Sequence, residues 1–240
     1  MTNKTKKRKA VAVFAIPMAC LFASSIPIAA EEPNYDFSYE MYGPVTVMID
    51  AGHGGIDSGA IGANGVYEKD LSLQYAQTIG AMIQSLDPSI SVLYTRYDDQ
   101  VPWVDEQNTL DFEVDDLNGR TNAIMAMAPT YVLSVHFNAA DDPSASGFCG
   151  FVKGEDASSQ AVYSKVSQYF QEMGYSYDRG LMTTMDYPLQ IVDMNMSYSM
   201  LLELGFLTNY FEVSQLSDPS MMNALCMQVA RAYVDTIHGV

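Results

Sequence analysis

Apolar positions along this chain follow two rhythms. Short apolar runs bounded by glycine, proline or polar clusters occur at "VTVMID" (45–50), "SVLYT" (91–95), "YVLSV" (131–135), "GFCGFV" (147–152) and "MLLEL" (200–204). Runs of that length closed by turn residues predict buried strands. Between them the spacing changes to three and four. Leu71, Tyr75, Ile79, Met82, Ile83 and Leu86 predict a helix over 69–86 that Asp87-Pro88 stops. Residues 120–128 predict a second helix. Val162, Val166, Tyr169, Phe170 and Met173 predict a third over 157–173, and 219–237 reads as a closing amphipathic helix. Strands alternating with helices predict a single α/β domain over 45–240, with a mixed, mostly parallel sheet flanked by helices on both faces. One stretch, 98–118, shows no period. It holds Asp105, Glu106, Asp111, Glu113, Asp115, Asp116 and the sole tryptophan, Trp103, and a structureless piece of that length predicts a rim or lid, with a solvated acidic loop as the plainer reading.

The first thirty residues stand outside this pattern. Lys4, Lys6, Lys7, Arg8 and Lys9 precede an uncharged run from Ala10 to Ala30 that ends in small residues, which predicts a secretory signal cleaved near Ala30 and an extracytoplasmic, cell-envelope location. An uncleaved anchor is the alternative, and lipidation at Cys20 fits the preceding residues poorly. Residues 31–44 read as an acidic, aromatic leader. Cleavage would remove five of the 12 basic residues and no acidic one, taking the formal charge from −17 to −22. Such a surface repels phosphate backbones and argues against nucleic acid or anionic membrane as partners. Cys149 and Cys226 would remain, either paired or as buried thiols.

The chemistry concentrates at strand ends. His53 follows the first strand, His136 ends the third, and Glu203 lies towards the end of "MLLEL"; carboxyl ends of strands in an open α/β sheet face one crevice. A zinc site for amide hydrolysis takes three protein ligands, His2Glu being one such set, and His53, Glu68 and His136 supply it. A further carboxylate must then move the proton from water to the leaving nitrogen, a role that falls to Glu203. Gly52, Gly54, Gly55, Gly59, Gly62 and Gly65 would let the chain turn and bring Glu68 back to His53. Asp50 or Asp57 would orient the histidine through its other ring nitrogen. The glycine pattern lacks the spacing of a dinucleotide fingerprint and the G-K-[ST] of a P-loop. His238 reads as an exposed tail residue.

The blocks "IDAGHGGIDSGAIGANGVYEKDLSLQYA", "LYTRYDD", "SVHFNA", "DRGL" and "LLELGFLTN" resemble, in order, the zinc-dependent N-acetylmuramoyl-L-alanine amidases of the amidase-3 type. The resemblance covers 45–240. It implies one Zn2+ held by His53, Glu68 and His136, a catalytic Glu203, and hydrolysis of the amide between the lactyl group of N-acetylmuramic acid and L-alanine in peptidoglycan. Arg179 and Gly180 match a family element near the cleft. Ser58 and Tyr198 stand where the family often has proline. The length leaves no room for a separate wall-binding module, so targeting would come from the catalytic domain, a protein partner or the N-terminus. Two other readings stay open: a zinc peptidase cutting within the stem peptide, and a non-catalytic wall-binding domain, whose usual mark would be a lost ligand or base.

Overall fold

The computed structural model describes residues 44–240; the expected signal segment and residues 31–43 of the leader lie outside the described residues. The elements are β1 (Thr46–Ala51), α1 (Glu68–Leu86), β2 (Ser91–Tyr94), α2 (Phe112–Met127), β3 (Tyr131–Asn138), β4 (Phe148–Val152), α3 (Ala157–Glu172), β5 (Asp178–Thr183), α4 (Gln190–Asp193), β6 (Tyr198–Phe206), α5 (Tyr210–Leu216) and α6 (Pro219–Ile237). The strands form one sheet in the order β2-β1-β3-β6-β4-β5. Every neighbouring pair is parallel except β4 with β6, which is antiparallel.

Successive side chains on a strand point to opposite faces, and here the two faces differ in chemistry. Val47, Ile49 and Ala51 of β1, Leu133 and Val135 of β3, and Leu202 and Leu204 of β6 pack with α1, α3 and α6 into the larger core. The intervening positions Met48, Val132 and Leu201 meet Ile124 of α2 and Ile191 and Val192 of α4 in a smaller one. Continuing that second parity along the strands reaches Asp50, Ser134, His136 and Glu203. The candidate functional side chains carried by the strands therefore share the α2/α4 face.

Three helix starts follow from capping. Asp111 accepts a hydrogen bond from Val114 N at α2, Asp156 from Ser159 N at α3, and Asp218 from Ser220 N and Met221 N at α6, where Pro219 needs no amide partner.

Three points of the sequence reading need correction. The stretch 98–118 is irregular only to Asp111, because α2 begins at Phe112 rather than 120. Two of its buried positions are Asp116 and Arg120, so the helix lacks the apolar rhythm that would reveal it. The strand β5 was not expected. It lies at the sheet edge and is only partly buried along its length, so its "DRGLMT" shows no clean alternation. His136 also sits inside β3 rather than at its end, just before an irregularity in the register with β6. Among the described residues, no helix is long and apolar enough to cross a membrane.

Candidate metal centre and active-site crevice

After β1 the chain turns directly beneath β3. A Cβ at Gly52 would lie 2.3 Å from His136 Cε1, so only glycine lets the turn pass the imidazole. His53 follows with φ 59, a left-handed conformation that side-chain-bearing residues rarely hold. Its Nδ1 lies 2.7 Å from Asp57 Oδ2, and Asp57 Oδ1 accepts from Gly59 N at 2.9 Å. Asp57 is thus the residue that orients His53. Asp50, the other candidate, is fully committed elsewhere: it accepts from Thr95 Oγ1 at 2.7 Å, Ser134 Oγ at 2.6 Å and Arg120 Nη1 at 2.9 Å.

Glu68, the first residue of α1, is buried between the two imidazoles. Its Oε2 lies 3.2 Å from His53 Nε2 and accepts from Ala60 N at 2.9 Å, while Oε1 lies 3.1 Å from His136 Nδ1 and accepts from Phe137 N at 2.9 Å. Gly59 closes the loop at φ 61. A Cβ there would stand 2.6 Å from His53 Cδ2 and 2.7 Å from Glu68 Oε2.

Atoms of His53, Glu68 and His136 that could ligate a metal all lie within 4.8 Å of one another. Their electrostatics suit a cation. Burial pushes the Glu68 carboxyl up, but hydrogen bonds and charge from His136 and His53 reverse this and hold it well below the usual carboxylate value. Burial also disfavours a charged His53, yet Asp57 and Glu68 outweigh it and raise the imidazole to about 10. A pocket that binds a proton this firmly offers the same lone pairs to a divalent ion, and two imidazoles with a carboxylate form a donor set that zinc accepts.

Glu203 stands opposite His136 in the β3–β6 register and opposite Cys149 in β4–β6. Although the residue as a whole is only partly buried, its Oε2 is shielded from solvent and has no hydrogen-bond partner among the described residues. Such an orphaned atom signals an occupant with a proton or positive charge to share. Burial, then the charge of Glu68, pushes this carboxyl up to about 8, against a lowering by His53.

The remaining sequence candidates resolve as follows. Cys149 and Cys226 are both buried and free. Burial and the nearby Glu203 push the Cys149 thiol up to about 12, which excludes a thiolate nucleophile at neutral pH. Arg179 donates to Ser146 O at 3.1 Å and lies 5.1 Å over the Phe206 ring, tying β5 to the end of β6. His238 is exposed, and its Nε2 lies 2.9 Å from Asp87 Oδ2. Segment 98–111 is pinned rather than free. Trp103 donates to Asp116 Oδ1 at 2.7 Å and fills the space over Gly119, and Lys69 joins Asp99 Oδ2 at 2.6 Å to Gly55 O at 2.7 Å. With Gly55 and Ile56, residues 99–102, Val104 and Glu106 wall an open hollow of about 490 Å3 beside the His53 loop.

Two residues that the sequence reading passed through, in "LYTRYDD" and at the start of the 120–128 helix, were given no role there. Arg96 and Arg120, each 3% exposed, donate to the backbone carbonyls around His53. The signals that could have found them were the scarcity of basic residues beyond the N-terminus and, for Arg96, its place in "LYTRYDD".

Residues 47–235 match the amidase-3 family, described as N-acetylmuramoyl-L-alanine amidase. The chain belongs to that family. The sporulation-specific N-acetylmuramoyl-L-alanine amidase of Bacillus subtilis (strain 168) is 28% identical over 183 residues, covering 75% of this chain and 64% of the relative. N-acetylmuramoyl-L-alanine amidase CwlM of Bacillus licheniformis is 29% identical over 182 residues, with the same two coverages. The matched region thus spans a little under two thirds of each relative. Among solved structures, the catalytic domain of CwlV, an N-acetylmuramoyl-L-alanine amidase from Bacillus (Paenibacillus) polymyxa var. colistinus, superposes with TM-score 0.67 at 25% identity, over 81% of this chain and 98% of that one. The CwlD amidase from Clostridioides difficile, solved with the GerS lipoprotein, has the same fold, with TM-score 0.74 at 22% identity over 82% of this chain and 100% of that one.

Proposed function

We propose that this chain hydrolyses the amide joining the lactyl group of N-acetylmuramic acid to L-alanine in peptidoglycan, with one zinc ion held by His53, Glu68 and His136 and with Glu203 as the catalytic residue. The observation that carries this reading is the convergence of the three candidate ligand atoms within 4.8 Å, with a fourth side chain, the acidic Glu203, placed opposite His136 on the neighbouring strand and left with an unpartnered oxygen among the described residues.

Zinc held by His53, Glu68 and His136 would supply Lewis acidity towards the amide carbonyl and water. Glu203 takes the proton from water as the carbonyl is attacked and returns it to the departing nitrogen. Its pKa of about 8 suits a group that must accept and release a proton near neutral pH. Asp57 fixes the Nδ1 side of His53, which leaves Nε2 facing Glu68 and the ligand position. Glu68 accepts amide N–H groups from Ala60 and Phe137, so its carboxylate stays ionised and fixed.

The substrate implies action in the cell envelope, in keeping with an N-terminal secretory signal. Digestion of purified sacculi with the full chain, with and without chelator, tests the reaction. Release of stem peptides with a free L-alanine amino terminus, abolished by chelator and restored by zinc, supports it. A different new amino terminus would support the stem-peptide peptidase instead.

A further inference from the structure

The loop bearing His53 is held by two buried arginines. Arg96 donates from Nε to Ala51 O at 3.1 Å, and from Nη2 to Gly52 O at 3.0 Å, Lys69 O at 2.7 Å and Ser72 Oγ at 3.3 Å; its Nη1 donates to Asp98 O at 2.8 Å. It therefore bridges the turn before His53 to the first turn of α1, one residue beyond Glu68. Arg120 donates from Nη1 to Ala51 O and Asp50 Oδ1, from Nη2 to His53 O, and from Nε to Asp116 Oδ2 at 2.9 Å. Carbonyls 51, 52 and 53 thus all accept from a guanidinium.

This arrangement is costly for packing alone. Every Arg96 partner is a carbonyl or a hydroxyl, so a guanidinium 3% exposed has no carboxylate within ion-pair distance among the described residues. His53 meanwhile keeps φ 59 although it is not glycine, and a strained backbone persists only where its surroundings over-determine it. A planar fork of donors is suited to fixing several carbonyls at once, which an ammonium cannot reproduce.

We propose that Arg96 and Arg120 are positioning residues for the metal centre: they lock the left-handed His53 turn and its distance to Glu68, and so set the affinity for the cation. The inference rests on His53 and Glu68 being metal ligands. Trp103 extends the chain of support, because its indole bonds the same Asp116 that holds Arg120, which ties segment 98–111 to the centre through Arg120.

The test uses the full chain and three variants, Arg96→Lys, Arg120→Lys and Glu212→Gln. Glu212 is a buried carboxylate that accepts from Gly147 N and Phe206 N, both at 2.8 Å, and from Ser176 Oγ, so its hydrogen bonds go to residues outside the His53–Glu68 loop. Zinc affinity is measured by competition with a chromophoric chelator, the geometry of the centre from the visible spectrum of the cobalt-substituted protein, and metal-free stability from melting in excess chelator. The lysine variants should bind zinc at least tenfold more weakly and alter the cobalt spectrum, whereas Glu212→Gln should lower the metal-free melting temperature and keep affinity within twofold. Wild-type affinity in both lysine variants overturns the proposal, as does an equal loss in Glu212→Gln. Should Arg120→Lys not fold, Arg96→Lys decides, since it leaves no buried carboxylate without its partner. A wild-type chain that binds no zinc overturns the metal reading itself, an outcome distinct from unchanged variants.

Discussion

The two faces of the sheet divide the labour. Facing α1, α3 and α6, the strands present Val47, Ile49, Leu133, Val135, Leu202 and Leu204, all fully buried among apolar neighbours. Facing α2 and α4, the same strands begin apolar, at Met48, Val132 and Leu201, and become polar towards their carboxyl ends, at Asp50, Ser134, His136 and Glu203. On the proposed function, one strand would serve stability with alternate residues and chemistry with those between. Substitutions one position apart should then fail in different ways.

The largest contrast is between neighbours on β6. Glu203→Gln should lower turnover by about 10^2–10^4-fold, the span that proton transfer contributes, while zinc content stays at the wild-type level. Leu202→Ala should instead remove about 2–5 kcal/mol of stability and leave zinc stoichiometry intact in the folded fraction. Turnover assays, metal analysis and denaturant melts separate them, and a Leu202→Ala protein that folds normally but loses zinc would end the division. Gly59→Ala strains the loop itself. Its φ of 61 and the 2.7 Å approach to Glu68 Oε2 should weaken zinc binding by roughly tenfold, from a left-handed strain of about 1–2 kcal/mol.

pH sharpens the contrast on the polar face alone. His53, raised to about 10 in the cation-free protein, carries a proton at neutral pH that a bound metal must displace. Zinc affinity should therefore climb with pH, with about one proton released per ion, measurable by calorimetry in buffers of different ionisation enthalpy. Burial pushes Asp50 up, but Arg120, Ser134 and Thr95 hold it below the usual carboxylate value. A carboxyl with a lowered folded pKa lends stability in full above its unfolded value of about 3.9 and loses it as pH falls through the folded one. Acid melts should show Asp50→Asn flattening the loss of stability below about pH 4. The smallest effect is expected on the apolar face. Tyr75→Phe removes one buried hydrogen bond, to Leu216 O at 3.0 Å, for about 1 kcal/mol and no change in zinc affinity.

Segment 98–111 also differs from the free acidic lid suggested by its composition. Removal of 104–116 would take Asp116 and the first turn of α2 with it, so a deletion confined to 104–110 is the cleaner probe of the rim. Unchanged activity and substrate range in that variant would leave the rim with no part in access.

Much of this molecule was legible in one dimension. The strand runs and the α1, α3 and α6 repeats are local patterns, and so are the Asp218-Pro219 start of α6 and the glycine-lined loop from His53 to Glu68. Histidines are scarce enough that His53 and His136 stood out, strand-end placement joined them with Glu203, and the glycine-lined loop brought in Glu68. The helix α2 was shortened in the sequence reading because its inward face is built from Asp116 and Arg120, which a hydrophobic period cannot register. The edge strand β5 was passed over because its "DRGLMT", only partly buried along its length, carries neither an apolar run nor a clean alternation.

What the order of residues determined by itself was periodicity and the inventory of chemical groups, since both depend on neighbours a few positions apart. Only the folded chain decided which carboxylate serves which partner. Asp50 and Asp57 looked equivalent as supports for His53 until the sheet placed Ser134, Thr95 and Arg120 around the first and left the second beside the imidazole. The arginines that grip the loop come from 43 and 67 residues beyond His53. A hydrogen bond is sensitive to fractions of an ångström, and that precision arises from packing between elements far apart in the chain.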